Sequence, residues 1–265
     1  MENMMDSQQN NEIPVSKKIT FPSGNCAQLV APPAGTPAAS ILKALDIEQQ
    51  KALIMLVGGA AGLDKSLKPH LVQLFSRGIS HAVADRNALI IDGGTQAGVM
   101  AMMGQGIADS GRNSSLLGVV PAGKVTYPGG PTEGCIDDGA PLDPNHSHFV
   151  LVESSEWGGE TATMYELAEE LSKEIPVLTV LVNGGQVATR EILQSVRHGW
   201  AIIVIEGTGR LADEIAIAAR EKTVPPSEEI ATIVRYDRIA LFDIGEGPED
   251  LATLIRQKLF REQEA

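Results

Sequence analysis

Short aliphatic runs, each followed within a few residues by glycine, recur along the chain. Runs without polar alternation are typical of strands that are buried on both faces of a sheet. Stretches with helical spacing of apolar residues lie between them, and this alternation predicts βαβ units and a parallel sheet. The predicted strands are Leu53–Val57, Ala88–Ile91, Leu116–Val120, Phe149–Val152, Val177–Val182, Ala201–Ile205 and Ile239–Phe242.

Apolar stripes at helical spacing predict the helices between these strands. Before the first strand, a short hairpin and one helix are expected, and the polar residues 1–15 are expected to form a disordered tail. Residues 16–265 then form one doubly wound α/β domain. The hairpin strands are Lys18–Phe21 and Ala27–Ala31, and the helical segments are Ile41–Leu45, Leu67–Ile79, Thr161–Lys173, Ile192–Val196, Leu211–Ala218 and Glu249–Glu262.

The charge balance narrows the range of partners. Among 265 residues there are 34 acidic and 21 basic side chains, a net charge of −13, which disfavours binding to nucleic acid. A small phosphorylated ligand is not disfavoured, because backbone amides and one or two basic side chains hold it. No apolar run has the length of a membrane span, and the N-terminus lacks a signal-peptide pattern. With only two cysteines, in no metal-like spacing, we expect a cytoplasmic protein without membrane insertion.

The glycines lie at the carboxyl ends of the predicted strands. Ligands of open parallel sheets bind at that edge, where glycine lets backbone N–H groups approach a phosphate. The positive N-terminus of the following helix adds to this attraction. The pattern therefore predicts a pocket for an anionic, nucleotide-like ligand. For any single glycine pair, a simple tight turn remains the alternative.

The stretch from Gly59 to Ser66 resembles a P-loop in which Asp64 replaces the second glycine. A carboxylate there would face the β-phosphate, and Pro69 restricts the next helix to a start near Ser66 or Leu67. No G-x-G-x-x-G opens a helix either. A triphosphate hydrolase and a nicotinamide dehydrogenase are therefore both disfavoured.

Two motifs resemble the LOG family, which comprises cytokinin-activating phosphoribohydrolases and lysine-decarboxylase-like proteins. IDGGTQAGVMAMMGQGIA is similar to that family's GGG-x-x-G-L-M-G, through Gly93, Gly94, Gly98, Met100 and Gly104. WGGETATMYE is similar to P-G-G-x-G-T-x-x-E, through Gly158, Gly159, Thr163 and Glu166, without the proline and third glycine. The resemblance implies N-glycosidic hydrolysis with Glu166 or Glu160 as the acid, and the missing residues disfavour it.

A longer resemblance covers residues 53–219. The motifs VGGA, DGGTQAGVM, GVVPAG, LDPNHSHFVLVE, GGE, VLVNGG and IEGTGRLADEIA occur in this order. They resemble the N-terminal cytosolic region of melastatin-type TRP channels and its free-standing prokaryotic relatives, which are SLOG-superfamily domains of the LSDAT type. This implies a Rossmann-like, doubly wound fold with a mainly parallel sheet and helices on both faces. It also implies sensing of a nucleotide-derived ligand, such as ADP-ribose or its cyclic forms, without turnover.

The resemblance and the glycine pattern together give the candidate ligand-binding residues. Arg210 suits bidentate contact with phosphate, or else forms a surface ion pair with Asp213 or Glu214. Glu160 either caps a helix or binds a ribose hydroxyl, and Trp157 is a candidate for base stacking. The set is Gly58, Gly59, Ala60, Gly93, Gly94, Thr95, Gly98, Pro121, Gly123, Gly158, Gly159, Glu160, Gly184, Gly185, Gly207, Thr208, Gly209 and Arg210.

The segment Gly123–Ser147 shows no periodicity and is long enough to be a functional loop. Asp143, His146 and His148 lie close together at its end. They are too few and too irregular to define a metal site, so we expect them to order the loop by hydrogen bonds. No metal or cofactor is required by the sequence.

The sequence leaves two functions open, besides a scaffold that binds no ligand. The favoured one is a soluble binding or sensor domain for a nucleotide-derived small molecule at the carboxyl ends of the strands. The alternative is a LOG-like phosphoribohydrolase that cleaves a nucleoside monophosphate. A homo-oligomer is compatible with the composition, and an effector protein is expected but not identified.

Overall fold

The structure is a computed structural model that describes residues 13–47, 50–59, 62–83, 87–111, 114–130, 136–221 and 225–260. Most of the segment 1–15 lies outside these residues. Strands and helices alternate through the described chain. In order they are β1 (Ser16–Thr20), β2 (Cys26–Val30), α1 (Ala38–Leu45), β3 (Ala52–Gly58), α2 (Lys68–Gln73), α3 (His81–Val83), β4 (Ala88–Asp92), α4 (Gly98–Asp109), β5 (Ser115–Pro121), β6 (Val125–Thr126), β7 (Ala140–Pro141), β8 (His148–Val152), α5 (Thr161–Ser172), β9 (Val177–Val182), α6 (Gln186–Arg197), β10 (Ala201–Glu206), α7 (Arg210–Glu221), α8 (Glu228–Val234), β11 (Ile239–Asp243) and α9 (Pro248–Phe260).

The central sheet has nine strands in the order β1-β2-β8-β5-β4-β3-β9-β10-β11. All neighbouring strands pair in parallel except β1 and β2, which form the expected hairpin. From β3 the chain extends the sheet in one direction through β4, β5 and β8. It then crosses over to β9 on the other side of β3. The carboxyl ends of β3 and β9 therefore flank the point where strand order reverses, which is where open α/β sheets bind ligands.

Helices cover both faces of the sheet, so the doubly wound α/β fold is confirmed. On β3, Leu53 and Met55 pack toward α1 and α5. Ile54 and Leu56, which alternate with them, pack toward the opposite layer of α2, α4 and α9. These side chains are all at most 4% exposed. Burial on both faces explains why the strands are uninterrupted aliphatic runs in the sequence.

The stretch predicted as one helix over Leu67–Ile79 is divided. Asp64 caps a 3-10 turn, Lys65–Leu67, by accepting a hydrogen bond of 2.8 Å from the Ser66 N–H. Pro69 then lies in the first turn of α2, where its missing N–H is tolerated. A π-helical turn, Leu74–Ser80, follows before α3. The helix α8 was not predicted, because its seven residues are too few to show a period. Within the described residues, no helix is both long and apolar enough to cross a lipid bilayer.

Close contact between two glycines fixes the turn after β4. Gly94 has a φ of +59° and its backbone lies against Gly118 on β5. A Cβ on Gly118 would lie 2.5 Å from the Gly94 Cα and 2.8 Å from a ring atom of Phe149. Only glycine at both positions allows this approach.

We predict that Gly118→Ala destabilises the protein by about 2–3 kcal/mol, since the new methyl group must displace backbone. Gly93→Ala is the matched control, because its Cβ would meet only Met100 side-chain atoms at 3.9 Å. Urea unfolding of both variants measures the difference. An equal loss of stability in the two would contradict the proposed crowding.

Candidate functional site

A cavity of about 600 Å³ opens at the carboxyl ends of the strands, beside the reversal of strand order. Its walls come from four glycine turns and from the first turns of α4, α5 and α6. The predicted site residues that line it are Gly58, Gly59, Gly93, Thr95, Gly158, Glu160, Gly185 and Arg210, together with Trp157. The other lining residues are Leu56, Ala97, Met100, Ala140, Met164, Gln186, Val187, Ala188 and Glu191.

The other described members of the predicted set lie outside the lining of this cavity. Several shape its turns instead, with positive φ at Gly94, Gly98, Gly184, Gly207 and Gly209. Of the others, Thr208 is buried, Gly159 packs against Ser154, and Pro121 and Gly123 lie at the end of β5. Ala60 lies outside the described residues. Glu166 is exposed on α5 and does not line the cavity, so it is not placed to act on a ligand there.

Two helix N-termini meet at the cavity. Ala97 precedes α4 and Gly185 precedes α6, and neither has a side chain that can accept a hydrogen bond from the first turn. Both helices have 12 residues, which is long enough for a full macrodipole. Uncapped N–H groups at such ends attract anions. The first turns of α4 and α6 therefore offer backbone N–H groups to an anion in the cavity.

Arg210 adds a cationic side chain to this wall. A Cβ on Gly185 would lie 2.5 Å from an Arg210 guanidinium nitrogen, and one on Gly62 would lie 3.1 Å from Arg210 Cδ. Glycine at both positions therefore lets the side chain lie flat across two turns. The carboxylate of Asp213, one of the partners considered for Arg210, accepts a hydrogen bond of 2.7 Å from the Gly207 N–H.

Asn183, which was not among the predicted site residues, joins the last two turns. It has a φ of +60°, and its Nδ2 donates to the Thr208 carbonyl oxygen at 2.7 Å. Its backbone N–H donates to the Thr208 Oγ1 at 2.8 Å. Both residues are at most 2% exposed. This pair of bonds fixes Gly185 relative to the start of α7. The only sign of this role in the sequence is an asparagine, a residue that tolerates positive φ, directly before two glycines.

Two buried carboxyl groups face the cavity. Glu160 is 6% exposed, and its Oε2 accepts a hydrogen bond of 2.8 Å from the Gly158 N–H. Glu191 on α6 is 7% exposed. Burial raises the pKa of Glu160, and burial together with the charge of Glu160 raises the pKa of Glu191 to about 8. Glu191 was not predicted as a site residue, although it falls on the buried stripe formed by Ala188, Ile192 and Ser195.

A buried chain of hydrogen bonds supports the turn after β4 from behind. Asp92 Oδ1 accepts from the Gly94 N–H at 2.7 Å and pairs with His146 Nε2 at 2.8 Å. His146 Nδ1 pairs with Asp143 Oδ2 at 2.9 Å, and the Asp143 N–H donates to the Gly94 carbonyl oxygen at 2.9 Å. Each of the three side chains is buried. These bonds attach the end of the Gly123–Ser147 loop to the ligand-facing turn.

Charge explains the strength of this attachment. Burial lowers the pKa of His146, but the carboxylates of Asp92 and Asp143 outweigh it and raise the pKa to about 9. His148, in contrast, has its pKa lowered to about 4 by burial. Among the described residues, no three His, Cys, Asp or Glu side chains are grouped so that they could hold a metal ion.

These features define a doubly wound α/β domain with a cleft between glycine turns at its topological switch point. The family described as "SLOG in TRPM, prokaryote" matches residues 51–253. This is more than half of the chain, so the protein belongs to that family, and the resemblance inferred from the motifs is confirmed.

Relatives of known name are channel proteins. Transient receptor potential cation channel subfamily M member 2 of Mus musculus is 29% identical over 223 residues, which cover 72% of this chain and 14% of the mouse protein. Subfamily M member-like 2 of Nematostella vectensis is 28% identical over 67% of this chain and 14% of its own length. Human subfamily M member 7 is 25% identical over 66% of this chain and 11% of its own length. The chain therefore spans a small part of each relative.

The His146 network predicts a specific dependence of stability on pH. His146 has a pKa of about 9 in the folded protein, against an ordinary value of 6.5. Its stabilising contribution is therefore complete below pH 6.5 and is lost as pH rises through 9. We expect the stability advantage of the wild type over His146→Gln to shrink by about 3 kcal/mol between pH 6 and pH 10.

Urea unfolding of both proteins across this pH range measures the advantage directly. His81→Gln is the control, because His81 is exposed at the other end of the sheet. A constant difference between wild type and His146→Gln at all pH values would show that His146 is not held as an imidazolium.

Proposed function

We propose that this protein binds a nucleotide-derived ligand of the ADP-ribose class in the cavity at the switch point, and acts as a sensor rather than as an enzyme. The observation that carries the proposal is the convergence of two uncapped helix N-termini and Arg210 on one cavity of about 600 Å³. This volume lies within the usual range for small-molecule sites, about 300–1,000 Å³.

The apolar part of the cavity supports a ligand with more than a phosphate. Leu56, Met100 and Met164 line it, and Trp157 lies at the rim with 38% of its surface exposed. Trp157 Nε1 donates to the Asp138 carbonyl oxygen at 3.0 Å, which holds the indole in place. A nucleobase would stack on such a ring.

The named relatives are cation channels, and the matched region is a small part of each. We propose that the domain reports ligand occupancy, in the cytoplasm, to an effector that the sequence does not identify. Self-association into a homo-oligomer stays a prediction.

Hydrolysis of an N-glycosidic bond is the second candidate. It needs a proton donor beside the bond that breaks. Of the two glutamates nominated from the sequence, Glu160 lines the cavity and Glu166 does not. The buried Glu160 is the observation that keeps this candidate open.

Thermal unfolding with ADP-ribose, cyclic ADP-ribose, NAD or AMP tests the proposal. A ligand at 100 times its Kd should add about 2.7 kcal/mol of stability and raise the Tm. Each ligand is then recovered and analysed by chromatography. Intact ligand supports a sensor, whereas free base or ribose phosphate would identify a hydrolase. No shift with any of the four would contradict binding of this ligand class.

We predict that Arg210→Gln weakens binding of the ligand that shifts the Tm by about 10- to 100-fold, because a charged hydrogen bond to phosphate is lost. Arg220→Gln is the matched control on α7, since Arg220 pairs with Glu206 at the surface. Isothermal titration calorimetry compares the two variants. Equal affinities would show that Arg210 does not contact the ligand.

A further inference from the structure

Two carboxyl groups from different elements face the same cavity and are shielded from water. Glu160 precedes α5, and Glu191 lies in the second turn of α6, so the packing of α5 against α6 brings them together. Both are more than nine-tenths buried. Buried carboxylates are costly unless they are paired with a cation or keep a proton.

The charged and titratable groups around Glu191 do not compensate for two negative charges. Asp92, at the end of β4, and Glu160 both disfavour its ionisation, whereas Arg190 on α6 and the Thr161 side chain favour it. Arg190 also favours the ionisation of Glu160. From α5, the Tyr165 hydroxyl donates to the Glu191 carbonyl oxygen at 2.6 Å rather than to the carboxyl group. The Gly158 N–H occupies only one oxygen of Glu160. Both carboxyl groups line the cavity, where a ligand can contact them.

We propose that Glu160 and Glu191 act as one carboxyl pair that keeps a single proton and binds the cis-diol of a ribose in the ligand. This inference rests on the proposed function, because it assigns the sugar of the nucleotide-derived ligand to the acidic wall. The phosphate then lies toward Arg210 and the N-termini of α4 and α6.

The chemistry of a cis-diol matches a pair in this protonation state. Each hydroxyl group can donate one hydrogen bond and accept others, and a carboxylic acid beside a carboxylate offers both a donor and acceptors. Two ionised carboxylates would offer no donor and would repel the phosphate. Two neutral acids would lose the stronger, charged acceptor.

Binding should therefore weaken when the shared proton leaves. The pKa of Glu191 is about 8 in the free protein. Above that pH the pair becomes doubly negative, so the affinity for a ribose phosphate should fall by about tenfold for each further pH unit. Glu191→Gln keeps a donor and an acceptor but cannot ionise, so its affinity should stay constant over the same range.

Calorimetry on the full chain tests the pair with three probes: ADP-ribose, an analogue lacking the 2′-hydroxyl of both riboses, and inorganic pyrophosphate. The wild type should prefer ADP-ribose to the analogue by about 10- to 100-fold at pH 7. Glu191→Leu should abolish this preference and leave pyrophosphate binding in place. Glu169→Gln, at an exposed position on α5, is the matched control and should behave like the wild type.

The outcomes separate this inference from the proposed function. Binding of ADP-ribose with an unchanged preference in Glu191→Leu, or with a flat pH profile in the wild type, would overturn the carboxyl pair and leave the ligand class intact. No binding of ADP-ribose or pyrophosphate would overturn the proposed function and, with it, the ribose assignment.

A measurement without ligand also tests the shared proton. Carbon-13 NMR of the glutamate carboxyl groups should show one resonance that titrates near pH 8 and is lost in Glu191→Gln. If every glutamate carboxyl titrates below pH 6, the pair does not hold a proton at neutral pH and the inference is wrong.

Discussion

The ligand-facing edge of this protein depends on one buried ionic contact, that of His146 with Asp92 and Asp143. Asp92 ends β4 and also accepts from the Gly94 N–H, so the same carboxylate shapes the glycine turn and secures the loop behind it. Without a cation between them, two carboxylates would be buried with no opposite charge to pair with. The close approach of Gly94 to Gly118 and the position of the first turn of α4 both follow from this arrangement.

Much of the fold could be predicted, because parallel strands buried on both faces leave a clear aliphatic pattern. The hairpin, the core strands and the helices α1, α5, α7 and α9 agree with the structure to within a few residues. No bounds were predicted for α4, and α6 begins six residues before the predicted segment. Glycine turns also indicated the correct edge of the sheet. The cavity could be predicted only in part, since glycines that shape a turn and glycines that line a pocket look alike in sequence. Gly93 lines the cavity, whereas its neighbour Gly94 faces Gly118.

The features that could not be predicted depend on contacts between residues far apart in the chain. Glu191 resembles any charged residue of an amphipathic helix until the packing of α6 shows that it is buried. His146 could be placed in a loop, but its bond to Asp92 joins residues 54 positions apart. The division of the helix after Pro69 could not be predicted either. The helical spacing of apolar residues continues through the π-helical turn, which packs against α9.

The crossover from β8 to β9 also governs how the chain can assemble during synthesis. Strand β3 pairs on one side with β4, the next core strand in the chain. Its other edge stays unpaired until β9 has been made, because Leu53 pairs there with Val177. Until the ribosome has released β9, the six sheet strands already made have an exposed aliphatic edge at β3, in the future centre of the sheet. Such an edge can pair with other chains, so this topology leaves the nascent chain open to aggregation until late in translation.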